Sequence, residues 1–238
     1  MSESPIYPHD PIEEIQPDVF MARGCIKLNA LMTITRNMAI VRNAGELTLV
    51  DPIRLSAEEE QRLEALGDVK RIIRLGPFHG VDDPYYIDRY GAELWTPGVS
   101  EAHPEPKADV VYDESTPPPF PNARFFCIEG LAQPEAVLLL QRGGGLLLTC
   151  DAIQNYGDYR FNNLIAKIMM PLIGFKKTTI VGPMWVKMMT PEGGSLEGEF
   201  RRLLAELEFD QLLSAHGTFL ESGAHAACAR AVDTIYAG

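Results

Sequence analysis

Cysteine and histidine are both scarce in this 238-residue chain, with four of the first and five of the second. Cys25, Cys127, Cys150 and Cys228 lie far apart and form no C-x-x-C pair. That spacing excludes a dense disulfide framework and a cysteine-rich zinc module, and fits reduced thiols in a cytoplasmic protein. Basic residues are also few: 21 Lys plus Arg stand against 33 Asp plus Glu, for a net charge of −12. General nucleic-acid binders and anionic-membrane binders need a basic footprint, so neither partner is expected. No apolar run reaches the roughly 18 to 20 residues of a spanning helix. The most apolar stretch, Leu164 to Phe175, is broken by Lys167 and Pro171. Glu3, Asp10, Glu13 and Glu14 occupy the place where a secretory signal carries a basic region and an apolar run, so none is expected.

What remains is ordinary globular material, 46% apolar and 23% charged, long enough to bury a sizeable core. Residues 1–18, rich in proline and acid, are expected to form an irregular arm over a single domain spanning 19–238. Strands are expected at Cys25 to Thr35, Met38 to Arg42 and Glu46 to Val50, the last two joined by the Asn43-Ala44-Gly45 turn. Ser56 reads as the N-cap of a helix ending before Gly67, with acids in its first turn. Further strands are read at Val69 to Leu75, Glu93 to Thr96, Ala123 to Ile128, Ala136 to Gln141, Gly145 to Cys150 and Gln211 to Ser214. Helices are read at Pro84 to Tyr90, Asn162 to Gly174, Ser195 to Leu207 and Ser222 to Tyr236, with a long ordered, proline-rich loop over 97–122. Hairpins followed by alternating strands and helices indicate a layered α/β protein with outer helices.

Four clusters share one pattern, in which a buried strand ends and an acid or histidine follows in a tight loop. They are Asp51, the segment from His79 to Asp83, Asp151, and His216. Binding sites collect at such strand ends in open sheets. In order and spacing, 19–238 resembles the metallo-β-lactamase fold superfamily. The resemblance rests on Leu49-Val50-Asp51-Pro52, on the loop from Gly76 to Asp82, on Leu148-Thr149-Cys150-Asp151 and on Ser214-Ala215-His216-Gly217. It implies a four-layer αββα sandwich and a metal site. Laid on the family's H-x-H-x-D-H motif, positions 77, 79, 81 and 82 read Pro77, His79, Val81 and Asp82, so the motif is degenerate. Only Glu129 stands near the place of the family's middle histidine.

The surviving set, His79, Asp82, Asp151 and His216, would make a two-histidine, two-carboxylate site for one divalent ion: zinc, iron or manganese. An open position on that ion would carry a hydroxide nucleophile, with Asp83 as general base or as the group orienting His79. Asp82 equally fits a helix cap before Pro84, and Asp51 a turn-closing role. His9 and His103 read as solvated, and His225 as a surface or cap residue. The segment 156–191, rich in Met and aromatics, reads as a helical layer on the sheet, as a cap over the site, or as a surface for self-association in a homo-oligomer. Two functions follow. One is metal-dependent hydrolysis of a small ester, thioester or lactone. The other is a metal-free binding or scaffolding role, with no metal and no catalysis, on the same fold.

Overall fold

The computed structural model describes residues 4–237, so the first three residues of the expected arm and Gly238 lie outside the described residues. The chain opens with a meander. β1 (Glu13–Gln16), β2 (Val19–Lys27), β3 (Thr33–Asn43) and β4 (Glu46–Val50) pair antiparallel in sequence order. The expected turn at Asn43 to Gly45 joins β3 and β4, with Ala44 and Gly45 both at positive φ. Helix α1 (Ala57–Leu66) then carries the chain across, its N-terminus capped by the Ser56 hydroxyl accepting from Glu59 N. β5 (Asp68–Ile73) therefore returns parallel to β4. After α2 (Asp83–Tyr90), β6 (Glu93–Thr96) and β7 (Val110–Val111) extend the sheet, again in parallel, to seven strands in order β1 to β7.

The second sheet has the order β13-β10-β9-β8, from β8 (Ala123–Cys127), β9 (Ala136–Leu140), β10 (Leu146–Thr149) and β13 (Gln211–Ser214). A two-stranded ribbon of β11 (Ile153–Asn155) and β12 (Thr179–Val181) stands beside it. Helices α3 (Leu164–Leu172), α4 (Pro183–Met189), α5 (Glu197–Glu206) and α6 (Ala224–Tyr236) complete the chain.

Alternation along the strands sets the layers. On β3, Ala39 and Val41 turn toward the second sheet and pack with Leu138, Leu140 and Leu148. The intervening Met38 and Ile40 turn the other way, against Leu63 of α1 and Tyr86 of α2. On the second sheet, Val137, Leu139 and Leu147 face Trp185, Phe200 and Val232 of α4, α5 and α6. Period-two side-chain direction thus gives three apolar interfaces and the expected αββα sandwich.

Several expectations change. The strand expected at Cys25 to Thr35 divides at residues 28–32, and its second part joins the next strand as the long β3. The arm is tied down through β1, and His9 bridges to Gly24 while its Nε2 accepts from Ser56 N at 2.8 Å, so this histidine is a structural acceptor. β7, β11, β12 and α4 were not expected. Each is short, seven residues or fewer, and lacks a resolvable period. All four cysteines are free. Among the described residues no helix is long and apolar enough to cross a membrane.

Candidate metal centre

Asp151 and His216 come together through strand register. β10 and β13 run parallel with Thr149 opposite Ser214. Each candidate residue sits two positions beyond that pair, so both emerge at the same level. Gly217 turns the chain immediately afterwards at φ +84°, where a Cβ would stand 2.0 Å from the Asn155 carbonyl oxygen, which only glycine accommodates. His79 arrives from the first sheet, in the loop after β5. Gly80 beside it passes so close to the Arg74 guanidinium that a Cβ would lie 2.6 Å from Cζ.

The three side chains form a triangle. His79 Nε2 and His216 Nε2 are 3.2 Å apart, His79 Nε2 and Asp151 Oδ2 3.3 Å, and His216 Nε2 and Asp151 Oδ1 3.0 Å. The imidazole rings are perpendicular, at 90°. A tetrahedral ion with ligands about 2.0–2.1 Å away holds neighbouring ligand atoms roughly 3.3 Å apart. The three separations match that spacing, with the two histidines meeting different oxygens of the Asp151 carboxylate.

Electronic state points the same way. His216 Nδ1 donates to the Thr35 carbonyl oxygen at 2.6 Å, which turns Nε2 toward the centre. His79 Nδ1 faces Asp51 Oδ2 at 3.9 Å, and neither atom has a hydrogen-bond partner, while Nε2 lies 3.3 Å from Asp151 Oδ2. Burial, reinforced by the nearby Arg36 charge, pushes His79 down to about 3, so its ring is neutral at pH 7. Burial alone would raise the Asp151 carboxyl, but His79 and His216 outweigh it and hold it well below the carboxylate range. Two imidazole Nε2 atoms and a carboxylate converging on one point form a set that could hold a cation.

The surrounding groups stiffen this set. Asp51, at φ +48°, accepts from Leu75 N through Oδ1 at 3.0 Å and so ties the end of β4 to the end of β5. Burial lifts it to about 7, against the pull of Arg36. Glu135 accepts from the backbone N–H of Asp151 and Ala152 at 3.1 and 2.8 Å, and from Trp185 Nε1 at 2.7 Å. It holds the Asp151 turn from below.

Asp82 and Asp83 do not join the centre. Asp82 makes no cap bond to α2; its carboxylate accepts from the Ser4 hydroxyl and, at 3.3 Å, from Arg54 N. Asp83 is wholly buried against Arg74, with Nε to Oδ2 at 2.7 Å, and burial, partly offset by Arg74, raises it to about 6. The expected fourth ligand is therefore held by the Ser4 hydroxyl and the Arg54 backbone N–H, and the expected general base by the Arg74 guanidinium. Glu129 is exposed, its N–H donating to Glu199, and His225 Nε2 is bonded to the Leu204 carbonyl, so neither reaches the site.

The centre opens into a cavity of about 550 Å³, lined mostly by apolar groups that include Phe78, Tyr156, Phe175 and Trp185. Arg36 and His103 reach it too. Arg36, only 2% exposed, donates from Nη2 to the His79 carbonyl at 3.0 Å. Neither residue figured among the sequence candidates. The usable signal for Arg36 was the polar triplet Thr35-Arg36-Asn37 immediately before the apolar run Met38 to Val41.

Solved structures share this architecture over nearly its whole length. The DIM-1 metallo-β-lactamase matches with a TM-score of 0.67 at 9% identity, covering 96% of this chain and 99% of that one. The metallo-β-lactamase FIM-1 from Pseudomonas aeruginosa, crystallised in a mono-zinc form, matches with a TM-score of 0.62 at 12% identity and 97% of both chains. A flavoprotein from Thermotoga maritima matches 97% of this chain with 62% of its own, at 16% identity and a TM-score of 0.64. No protein-family model matches the chain, and no curated protein matches it by sequence. The fold is that of the metallo-β-lactamases.

Proposed function

We propose that this metallo-β-lactamase-fold chain is a hydrolase using one divalent ion, held by His79, Asp151 and His216, against a small ester, thioester or lactone. One observation carries the reading: the two Nε2 atoms lie 3.2 Å apart and each stands 3.0–3.3 Å from one oxygen of the Asp151 carboxylate, with the His216 ring oriented by a carbonyl and His79 Nδ1 facing the Asp51 carboxyl. A divalent ion in that set supplies Lewis acidity and makes water a nucleophile near neutral pH. The chain's own residues do the rest. Arg36 presents a fixed positive charge to the cavity, suited to a carbonyl oxygen that gains negative charge. Phe78, Phe175 and Trp185 exclude water and accept an apolar substrate portion.

A second reading keeps the cavity and dispenses with the ion. The same Arg36 favours it, because a buried guanidinium beside His79 already provides a cation, and a protein with these features can bind an anionic or carbonyl ligand without turnover. Metal analysis separates the two. Protein purified without chelator and incubated in turn with zinc, iron and manganese is expected to hold about one equivalent of one of them. Metal content near zero with all three ions overturns the hydrolase reading.

A further inference from the structure

Helix α3 is amphipathic in an unusual sense, since its outward face is also apolar. It buries Ala166 and Met170, yet Leu164, Ile168 and Leu172 face solvent, Leu164 and Leu172 at 73% and 75% exposure. Beside it, Leu28 and Leu31 project from the turn between β2 and β3, and Met184 and Met188 from α4. The large cavity reaches the surface among these segments, since Leu28, Ile173, Met184 and Met188 are both exposed and part of its lining. Apolar patches of this kind on an otherwise charged protein mark contact sites.

Charge identifies the occupant. In a chain of net charge −12, residues 159–191 contain no Asp or Glu. Five of the seven lysines lie on the segments around the patch: Lys27, Lys167, Lys176, Lys177 and Lys187. All five are exposed, and among the described residues none is paired with an acid. Leucine, isoleucine and methionine side chains interleaved with lysine form the pattern that enters a lipid interface, the apolar groups reaching the acyl boundary and the ammonium groups the phosphates. Pairing with a second copy through the same face would oppose these lysines to one another and close both cavities.

We propose that this face seats on an anionic lipid surface, with the cavity mouth opening into the headgroup layer. A bulk acidic balance and a basic, apolar docking face then coexist in one molecule, a proposal that departs from the expectation of no membrane partner drawn from the overall charge. The inference stands on the surface and is independent of whether the centre holds a metal.

Co-sedimentation of the full chain with vesicles tests it. Binding is expected to phosphatidylcholine vesicles containing phosphatidylglycerol, to weaken as salt is raised, and to be weak with phosphatidylcholine alone. The double variant Lys176→Glu/Lys177→Glu should lower partitioning at least about tenfold. Leu164→Ser/Leu172→Ser should lower it comparably, with circular dichroism and melting unchanged, because both side chains are already in water. No partitioning, equal partitioning onto neutral vesicles, or indifference to both double variants overturns the proposal. So does a dimer in solution, seen by light scattering, that Leu164→Ser/Leu172→Ser dissolves.

Discussion

Two acid-bearing regions of this molecule look alike in sequence and behave differently in space. Asp151 and His216 follow β10 and β13, parallel neighbours whose register leaves no freedom in where the next two residues point. Asp82 closes the nine-residue loop after β5 and Asp83 opens α2, and there the side-chain direction is set by whatever partner the rest of the chain brings near. Arg74 captures Asp83, and Ser4 with Arg54 captures Asp82. His79, in the same loop, escapes this fate because Gly80 lets Arg74 pass behind it and Arg36 holds its carbonyl. A ligand motif in a loop is therefore weaker information than a single residue at the end of a paired parallel strand.

That contrast yields measurable consequences, the largest at the strand ends. Replacing His216 with Ala should take metal content from about one equivalent to none detectable in elemental analysis. Retained stoichiometry would mean that the triangle is not the binding set. Next comes the acid at the start of α2, which serves stability. Asp83→Asn leaves Arg74 buried without its counter-charge, and denaturant melts should show a loss of about 3–5 kcal/mol with metal content unchanged. A loss of metal with normal stability would restore Asp83 to the site.

Asp51→Asn keeps an acceptor for Leu75 N but takes away the carboxyl oxygen facing His79 Nδ1, and calorimetric titration should give metal affinity about 10- to 100-fold weaker. Asp82→Ala should cost about 1–2 kcal/mol, from the unpaired Arg54 N–H, with metal affinity within error of the parent. The smallest effect is expected on the surface. Arg23 holds the Asp158 carboxyl below its ordinary value, so this pair contributes above the unfolded-state value near pH 4, and the contribution is lost as pH falls through the folded-state value. Asp158→Asn should therefore cost less than about 1 kcal/mol at pH 7 and nothing at low pH, read from melts at the two conditions.

Much of the architecture was legible because its signals are local. The Asn43-Ala44-Gly45 turn, the Ser56 cap and the apolar runs that became β4, β9, β10 and β13 each depend on residues within a few positions. Arg36 was not legible as a site residue, since a lone arginine in a strand ordinarily faces solvent, and only the packing of two sheets makes position 36 an interior one. Glu135 was hidden for the same reason. Its carboxyl does nothing for β9 itself and acts on the turn after β10. His9 and His103 read as solvated until the arm and the long loop were folded back onto the domain.

Sequence alone determined that this is a layered α/β protein with polar groups at the ends of its buried strands, because alternation and turn chemistry act between near neighbours. It also put His79, Asp151 and His216 on the list, and it set a 33-residue acid-free stretch inside an acidic chain. Only the tertiary structure decided which acids meet those histidines, and that the acid-free stretch surrounds the mouth of the same cavity. The physical reason is one of range. A side chain's direction in a strand follows from its own pleat, whereas in a loop it follows from the strongest partner within reach, and here those partners come from as far as 78 residues away.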